Sequence, residues 1–254
     1  MCFTVHMTQW DAAASEQLAA IVEHLQGKQV ISLLETIAAS VWRANTARYE
    51  PSDLGDTPRS LGITAAENFR ELALRQIWHP ARTAKIGRDV HVTAPNGSLL
   101  VQSGGINLLV KKAGPMVTLA EPDWSEFDWS AESDVRRAAA RNNRTRYNPF
   151  QIGSGTLFDG LFPAEGDPKA LRDVILVWAG GWSSPNTAGW LGIPTESPDY
   201  PWLATQQLWW HRGDTGNATR GRNESTDSST DSFERRPAPT PEVRLKPRPK
   251  SAGE

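Results

Sequence analysis

The apolar residues in the first part of the chain recur at the spacing of helices. Residues 18–25 place their large apolar side chains three and four positions apart, and residues 30–42 repeat this pattern as a broader stripe. A glycine lies between the two segments. The pattern predicts either a helical hairpin or one long kinked helix.

Two short motifs indicate where helices begin. Thr8 and Asp11 have the spacing of a capping box, and so do Thr64 and Glu67. The second motif precedes an apolar stripe that stops just before Pro80, and a helix is expected to end there because proline disfavours helical backbone in the residue before it.

From position 89 the apolar residues alternate with polar ones, which is the spacing of a β-strand. Three such segments, 89–93, 98–102 and 106–111, are separated by turn sequences that contain Asn96-Gly97 and Gly104-Gly105. This arrangement predicts an antiparallel meander. Residues 116–119 are a possible fourth strand.

The second half of the chain combines a basic helix with an aromatic segment. A helix is predicted from Ser130 to about Asn143, and the continuous apolar run 174–178 predicts a strand buried on both faces. Residues 171–211 hold six of the eleven tryptophans. Because aromatic rings bury large areas, we expect this segment to complete the core, although an aromatic binding surface is the alternative.

These patterns together predict an α+β fold in which N-terminal helices pack on an antiparallel β-meander and the Trp-rich C-terminal segment completes the core. Residues 1–211 are predicted to form a single globular domain. Residues 212–254 are rich in Ser, Thr, Pro and Arg and have few large apolar side chains. Such a segment cannot offset the entropy of ordering, so a disordered tail is predicted.

The composition excludes several classes of protein. A net charge of −2 argues against a globally basic nucleic-acid binder, and the single cysteine excludes a disulfide framework. No apolar run approaches the ~20 residues that span a bilayer. We therefore expect a soluble cytoplasmic protein that does not enter a membrane. Abundant Ala, Arg and Trp with little Lys is typical of bacterial proteins of high genomic GC content.

One candidate catalytic group consists of Glu67, Asp89 and Lys111. A helix that carries Glu67, followed by a meander that ends in Lys111 and Lys112, resembles the αβββ layout of metal-dependent nucleases with a PD-(D/E)xK core. The resemblance implies that carboxylates hold Mg²⁺ beside a lysine. The third strand lacks an acid two residues before Lys111, so Asp89 would act with Glu67 alone. Otherwise the two lysines are solvated at a strand end.

No other metal or cofactor site is predicted, because the five histidines lack the spacing of metal ligands and no nucleotide-binding fingerprint is present. The candidate binding residues are arginines of the basic helix and tryptophans beside glycines. Arginines near aromatic residues suit a phosphate backbone, unless they pair with the acids of residues 121–134. The candidates are Arg137, Arg141, Arg144, Trp182 and Trp190.

The function best supported by these observations is that of an intracellular, non-catalytic binding or regulatory protein. Its body would present an arginine-lined or aromatic surface, and its Pro- and Arg-rich tail would recruit a protein partner. A divergent metal-dependent nuclease or other hydrolase is one alternative, so the sequence leaves open whether the protein is an enzyme. A nucleic-acid-binding accessory protein that uses the arginine helix is the other.

Overall fold

A computed structural model describes residues 11–78, 86–113, 133–149, 164–181, 186–197 and 201–211. Its α-helices in these ranges are α1 Ala12–Gly27, α2 Val30–Arg48, α3 Pro58–Trp78 and α4 Asp134–Arg146. Its strands are β1 His91–Thr93, β2 Leu99–Ser103, β3 Ile106–Lys112, β4 Tyr147–Asn148, β5 Glu165–Gly166, β6 Asp173–Gly180, β7 Thr187–Pro194 and β8 Trp202–His211. The predicted α+β fold is confirmed.

The main sheet has six strands in the order β1-β2-β3-β6-β7-β8, while β4 and β5 form a small separate pair. Neighbouring strands are antiparallel except β3 and β6, which are parallel. The predicted meander is therefore confirmed for its first three strands, and the possible strand at 116–119 lies outside the described residues. The Trp-rich segment contributes β6, β7 and β8, so it builds half of the sheet.

Each face of the sheet is covered by helices. Residues Leu108 and Val110 of β3 face a core that also contains buried residues of α1, α2 and α3. Leu109, between them, faces a second and smaller core together with Ala140 of α4. Because both faces are covered, every residue of β6 and β7 is buried, as the continuous apolar run 174–178 predicted.

Three glycines of the central strands lie against tryptophan rings. A Cβ atom added to Gly180 would lie 2.1 Å from Cδ2 of Trp42, and the Trp42 Nε1 donates to the carbonyl oxygen of Gly181 at 3.0 Å. The other two contacts pair a glycine of β7 with a tryptophan of β8, namely Gly189 with Trp209 and Gly192 with Trp202. In these contacts glycine lets a ring pack directly on the backbone, so the rings fill the core as expected.

The first helix begins at an aspartate that makes two contacts. Asp11 is the N-cap of α1, where its Oδ1 accepts from the backbone N–H of Ala14 at 2.7 Å. Its Oδ2 accepts from the Tyr147 hydroxyl at 2.8 Å. Burial and this carboxylate raise the pKa of Tyr147 above its ordinary value. Asp11 thus caps the helix itself, and Thr8 lies outside the described residues.

The predicted start of the third helix is wrong by two turns. Thr57 and Ser60 cap α3 reciprocally: the Thr57 N–H donates to Ser60 Oγ at 2.9 Å, and the Ser60 N–H donates to Thr57 Oγ1 at 3.0 Å. Thr64 and Glu67 therefore lie inside the helix, because an earlier pair of hydroxyls satisfies the first N–H groups. The predicted end before Pro80 is confirmed.

The first two apolar stripes form separate helices. The break is at Gln29, which has a positive φ of 61° and ends the continuous helical backbone between α1 and α2.

The contacts between residues divide the chain into two units, Met1–Thr215 and Gly216–Glu254. The predicted tail, 212–254, lies outside the described residues. None of the helices that the structure describes has the length and apolar character to span a membrane.

Candidate functional site: an arginine-lined groove

Helix α4 is fixed to the sheet through a buried asparagine. Asn143 is 1% exposed, and its Nδ2 donates to the Asp173 carbonyl oxygen at 2.7 Å while its Oδ1 accepts from the Asp173 N–H at 3.3 Å. Because Asn143 satisfies both backbone groups at the start of β6, its side chain sets the rotation of α4 on the sheet.

The carboxylate of Asp173 extends this polar network across two neighbouring strands. Its Oδ2 accepts from Arg146 of α4 at 2.5 Å, and its Oδ1 accepts from Asn107 of β3 at 3.1 Å. Asp173 is buried, whereas the side chain of Arg146 is partly exposed. The inner side of α4 is therefore tied to both β3 and β6.

The opposite side of α4 carries the predicted arginines. Arg137, Arg141 and Arg144 are four and three residues apart, so they lie along one helical face over about 10 Å. The single carboxylate of Glu196 bridges two of them, with 3.3 Å from Oε1 to Arg141 Nε and 3.2 Å from Oε2 to Arg144 Nη1. Arg137 pairs with Asp134, which is the local pairing with residues 121–134 that the sequence offered as an alternative.

Arg141 and Arg144 border an open groove of about 620 Å³. Its walls come from α4, the β4–β5 pair and the segment after β7. The lining residues are Arg141, Arg144, Thr145, Arg146, Asn148, Glu165, Gly166 and Glu196. The side chains of Arg141 and Arg144 are 67% and 62% exposed. We call this surface the arginine groove. Guanidinium groups that are held in place but exposed can bind carboxylate or phosphate groups.

The structure does not bring the three nuclease candidates together. Glu67 is exposed on α3. Asp89 forms an ion pair with Lys28 at 2.8 Å, which lowers the pKa of Asp89. Leu108 and Val110 lie on the face of the sheet on which α3 packs. Lys111 lies on the opposite face, with Leu109 and α4, because successive side chains of a strand point to opposite faces.

The separation of Glu67 from Lys111 by the sheet leaves no common pocket for Mg²⁺ between them. Across the described ranges, no group of three or more His, Cys, Asp or Glu side chains has the arrangement of a metal site. The geometry of these residues thus gives the predicted hydrolase chemistry no support.

The two tryptophan candidates have different outcomes. Trp190 is 3% exposed and packs in the smaller core with Leu109 and Val177. Its ring therefore has almost no surface to offer a ligand, because it fills the space between β7 and α4. Trp182 lies outside the described residues.

Lys112 lies in an environment that differs from the solvated strand end predicted for it. Lys112 points toward the larger core, between the rings of Trp42 and Trp178. The signal was present in the sequence, because position 112 is in alternation with the buried positions 108 and 110. A lysine is usually exposed, so its charge outweighed the alternation in the prediction.

The comparisons with known proteins add no assignment to this geometry. Neither a known protein family, nor a curated protein, nor a solved structure matches the chain.

Proposed function

We propose that this protein is a non-catalytic binding protein that recognises the acidic side chains of a protein partner through the arginine groove. The observation that carries this proposal is the contact of Glu196 with Arg141 and Arg144. One carboxylate already contacts both guanidinium groups, with one oxygen on each. A carboxylate from a partner can make the same contacts.

Exchange of Glu196 for a partner's acid has a small energetic cost. Exposed ion pairs contribute about 0–1 kcal/mol, because water competes for both charges. The side chains of Arg141 and Arg144 are largely exposed, so their contacts with Glu196 belong to this weak class. The helix that carries them is held by Asn143, so little backbone ordering is needed upon binding.

The mixture of charges favours a protein partner over a nucleic acid. The groove has three arginines, but Glu165 and Glu196 line it as well. Proteins that bind nucleic acids through their phosphates commonly neutralise about six to ten of them, and carboxylates in the same groove repel that backbone. A partner surface that carries both acidic and basic side chains complements this lining better.

Nucleic-acid binding is the second candidate, and the line of Arg137, Arg141 and Arg144 favours it. Three contacts with a single strand would give a slope of about −2 for the logarithm of the affinity against the logarithm of salt concentration. We further propose, on composition alone, that the protein acts in the cytoplasm of a bacterium and that the Pro- and Arg-rich tail helps recruit its protein partner.

Removing the charges of the groove should weaken binding of an acidic peptide. The double variant Arg141→Gln/Arg144→Gln is expected to bind a fluorescein-labelled polyglutamate peptide about tenfold more weakly, because it loses two charge-assisted contacts of about 0.7 kcal/mol each. Fluorescence anisotropy at low salt measures this change. A single-stranded oligonucleotide of equal charge, titrated in parallel, distinguishes the two candidates.

The matched control is Arg43→Gln/Arg59→Gln. It removes the same charge from exposed positions on α2 and α3, which cover the other face of the sheet. We expect this control to change the affinity less than about twofold. An equal loss in both double variants, or no binding of polyglutamate by the native protein, would contradict the proposal.

Removing the internal competitor should have the opposite effect. The variant Glu196→Gln keeps the size of the side chain but no longer neutralises Arg141 and Arg144. We expect it to bind polyglutamate several-fold more tightly than the native protein, in the same anisotropy titration. Unchanged or weaker binding would show that Glu196 does not occupy the site of the partner's acid. Glu50→Gln, on the connection between α2 and α3, is the matched control for the loss of one negative charge.

A further inference from the structure

Lys112 is the last residue of β3, at the edge where the parallel strands β3 and β6 both end. In the register of this pair Lys112 lies opposite Trp178. Its Nζ is 5.1 Å from the ring centroid of Trp42 and 5.6 Å from that of Trp178. The Phe69 ring stacks on Trp178 with 4.9 Å between centroids. The amine therefore lies beside two aromatic rings, on the face of the sheet that α1, α2 and α3 cover.

The amine has no counter-charge among the described residues. Its Nζ donates to the carbonyl oxygen of the adjacent residue, Ala113, at 2.8 Å. No ion pair involves it within the described ranges, although Lys28 on the same side of the sheet pairs with Asp89. Gly62 in α3 lies close above it, since a Cβ built on this glycine would be 3.7 Å from Nζ.

This environment favours the neutral form of the amine. Loss of hydration penalises the ammonium ion, and burial lowers the pKa of Lys112 to about 8. The faces of Trp42 and Trp178 attract a cation, but they replace only part of the lost hydration. At pH 7.5 roughly a quarter of Lys112 is then neutral, compared with about one thousandth of an ordinary lysine.

We propose that Lys112 is a reactive amine that condenses with small aldehydes. The neutral Nζ attacks the carbonyl carbon, the electron pair of the C=O π bond moves to oxygen, and one proton passes from the nitrogen to that oxygen. The carbinolamine then loses water to give an imine. One amine and one aldehyde thus yield one imine and one water, without an oxidant or a reductant. The neighbouring rings of Trp42 and Trp178 favour an aldehyde with an apolar or aromatic body.

This inference is independent of the arginine groove, because Lys112 faces the larger core while α4 packs on the other side of the sheet. It also accounts for the residue type at this position. Methionine or leucine would fill the space between Trp42 and Trp178 without burying a charge. A buried lysine without a counter-charge among the described residues is more typical of a functional site than of a structural contact.

Competitive labelling of the full chain tests the proposal. The folded protein is treated at pH 7.5 with acetaldehyde and cyanoborohydride, which reduces the imine to a stable secondary amine, and each lysine is quantified by peptide mass spectrometry. We expect Lys112 to be modified about tenfold faster than Lys28 or Lys169, because its larger neutral fraction outweighs its lower basicity and its crowding. Lys28 and Lys169 serve as references in the same tube.

The pH dependence separates a reactive amine from a merely structural one. Normalised to Lys169, labelling of Lys112 should be constant well below pH 8 and fall above it, because Lys112 is then mostly neutral while an ordinary lysine still gains neutral amine. The preference should disappear in urea because it depends on burial. The variant Lys112→Met should keep the labelling of Lys28 and Lys169. Equal or slower labelling of Lys112 in the folded protein, or a preference that persists in urea, overturns the proposal. The native protein alone gives this answer, so the test does not depend on the variant's folding.

Discussion

Replacing Gly180 with alanine should lower the free energy of unfolding by about 3 kcal/mol, since an added methyl group in a packed core forces neighbouring groups apart. The new Cβ would lie 2.1 Å from Trp42 Cδ2. Trp42 cannot easily withdraw, because it is fully buried, donates to the Gly181 carbonyl oxygen and packs edge-on against Trp178. Urea denaturation followed by circular dichroism measures the loss.

The matched control is Gly27→Ala at the end of α1. An added Cβ there meets no atom within 4 Å. Alanine also restricts the unfolded chain and favours helix, so we expect a change between zero and a gain of about 1 kcal/mol. If Gly180→Ala were as stable as the native protein, Trp42 would not pack on the backbone of β6.

Asp173→Ala should lower the free energy of unfolding by about 2–3 kcal/mol. Breaking a buried ion pair from one side commonly costs about 3–5 kcal/mol, and the partial exposure of Arg146 reduces that figure. The substitution also removes the acceptor for Asn107. Because Asp173 links β3, β6 and α4, thermal denaturation should show a lower melting temperature with a single transition.

Asp134→Ala is the control for this experiment. It removes a carboxylate that also pairs with an arginine of α4, but the Asp134 side chain is 89% exposed. We expect a change of at most about 0.5 kcal/mol, because exposed ion pairs contribute little. Equal effects of the two substitutions would mean that burial of Asp173 does not determine its contribution.

The sequence predicts the local elements of this fold well, because their patterns arise within a few residues. The stripes of α1 and α2 and the turns of the first meander need no information from elsewhere. The parallel pairing of β3 with β6 is a long-range contact, and no local pattern indicates it. The sequence does not predict β7, because the strand contains Gly189 and Gly192 and glycine is normally depleted in strands. Here the glycines make room for the rings of β8.

The candidate site was predictable in part. The spacing of Arg137, Arg141 and Arg144 places them on one face of a helix, and α4 has this arrangement. Glu196, the shared partner of Arg141 and Arg144, is more than fifty residues away along the chain, so its position depends on tertiary packing. Strand alternation places Lys112 on the same face as the buried positions 108 and 110. The prediction was instead a solvated strand end, because Lys111 and Lys112 are adjacent.

The position of α4 on the sheet has a consequence for cohesion. The sheet consists of two three-stranded antiparallel units, β1–β3 and β6–β8, joined by the parallel β3–β6 contact. Forming that joint closes a loop of roughly sixty residues, an unfavourable entropic step that its own contacts must offset. One side of helix α4 is bonded to Asp173 at the β3–β6 contact, and its exposed side carries the arginine groove. By thermodynamic linkage, a partner bound in the arginine groove would also raise the free energy needed to separate the two three-stranded units.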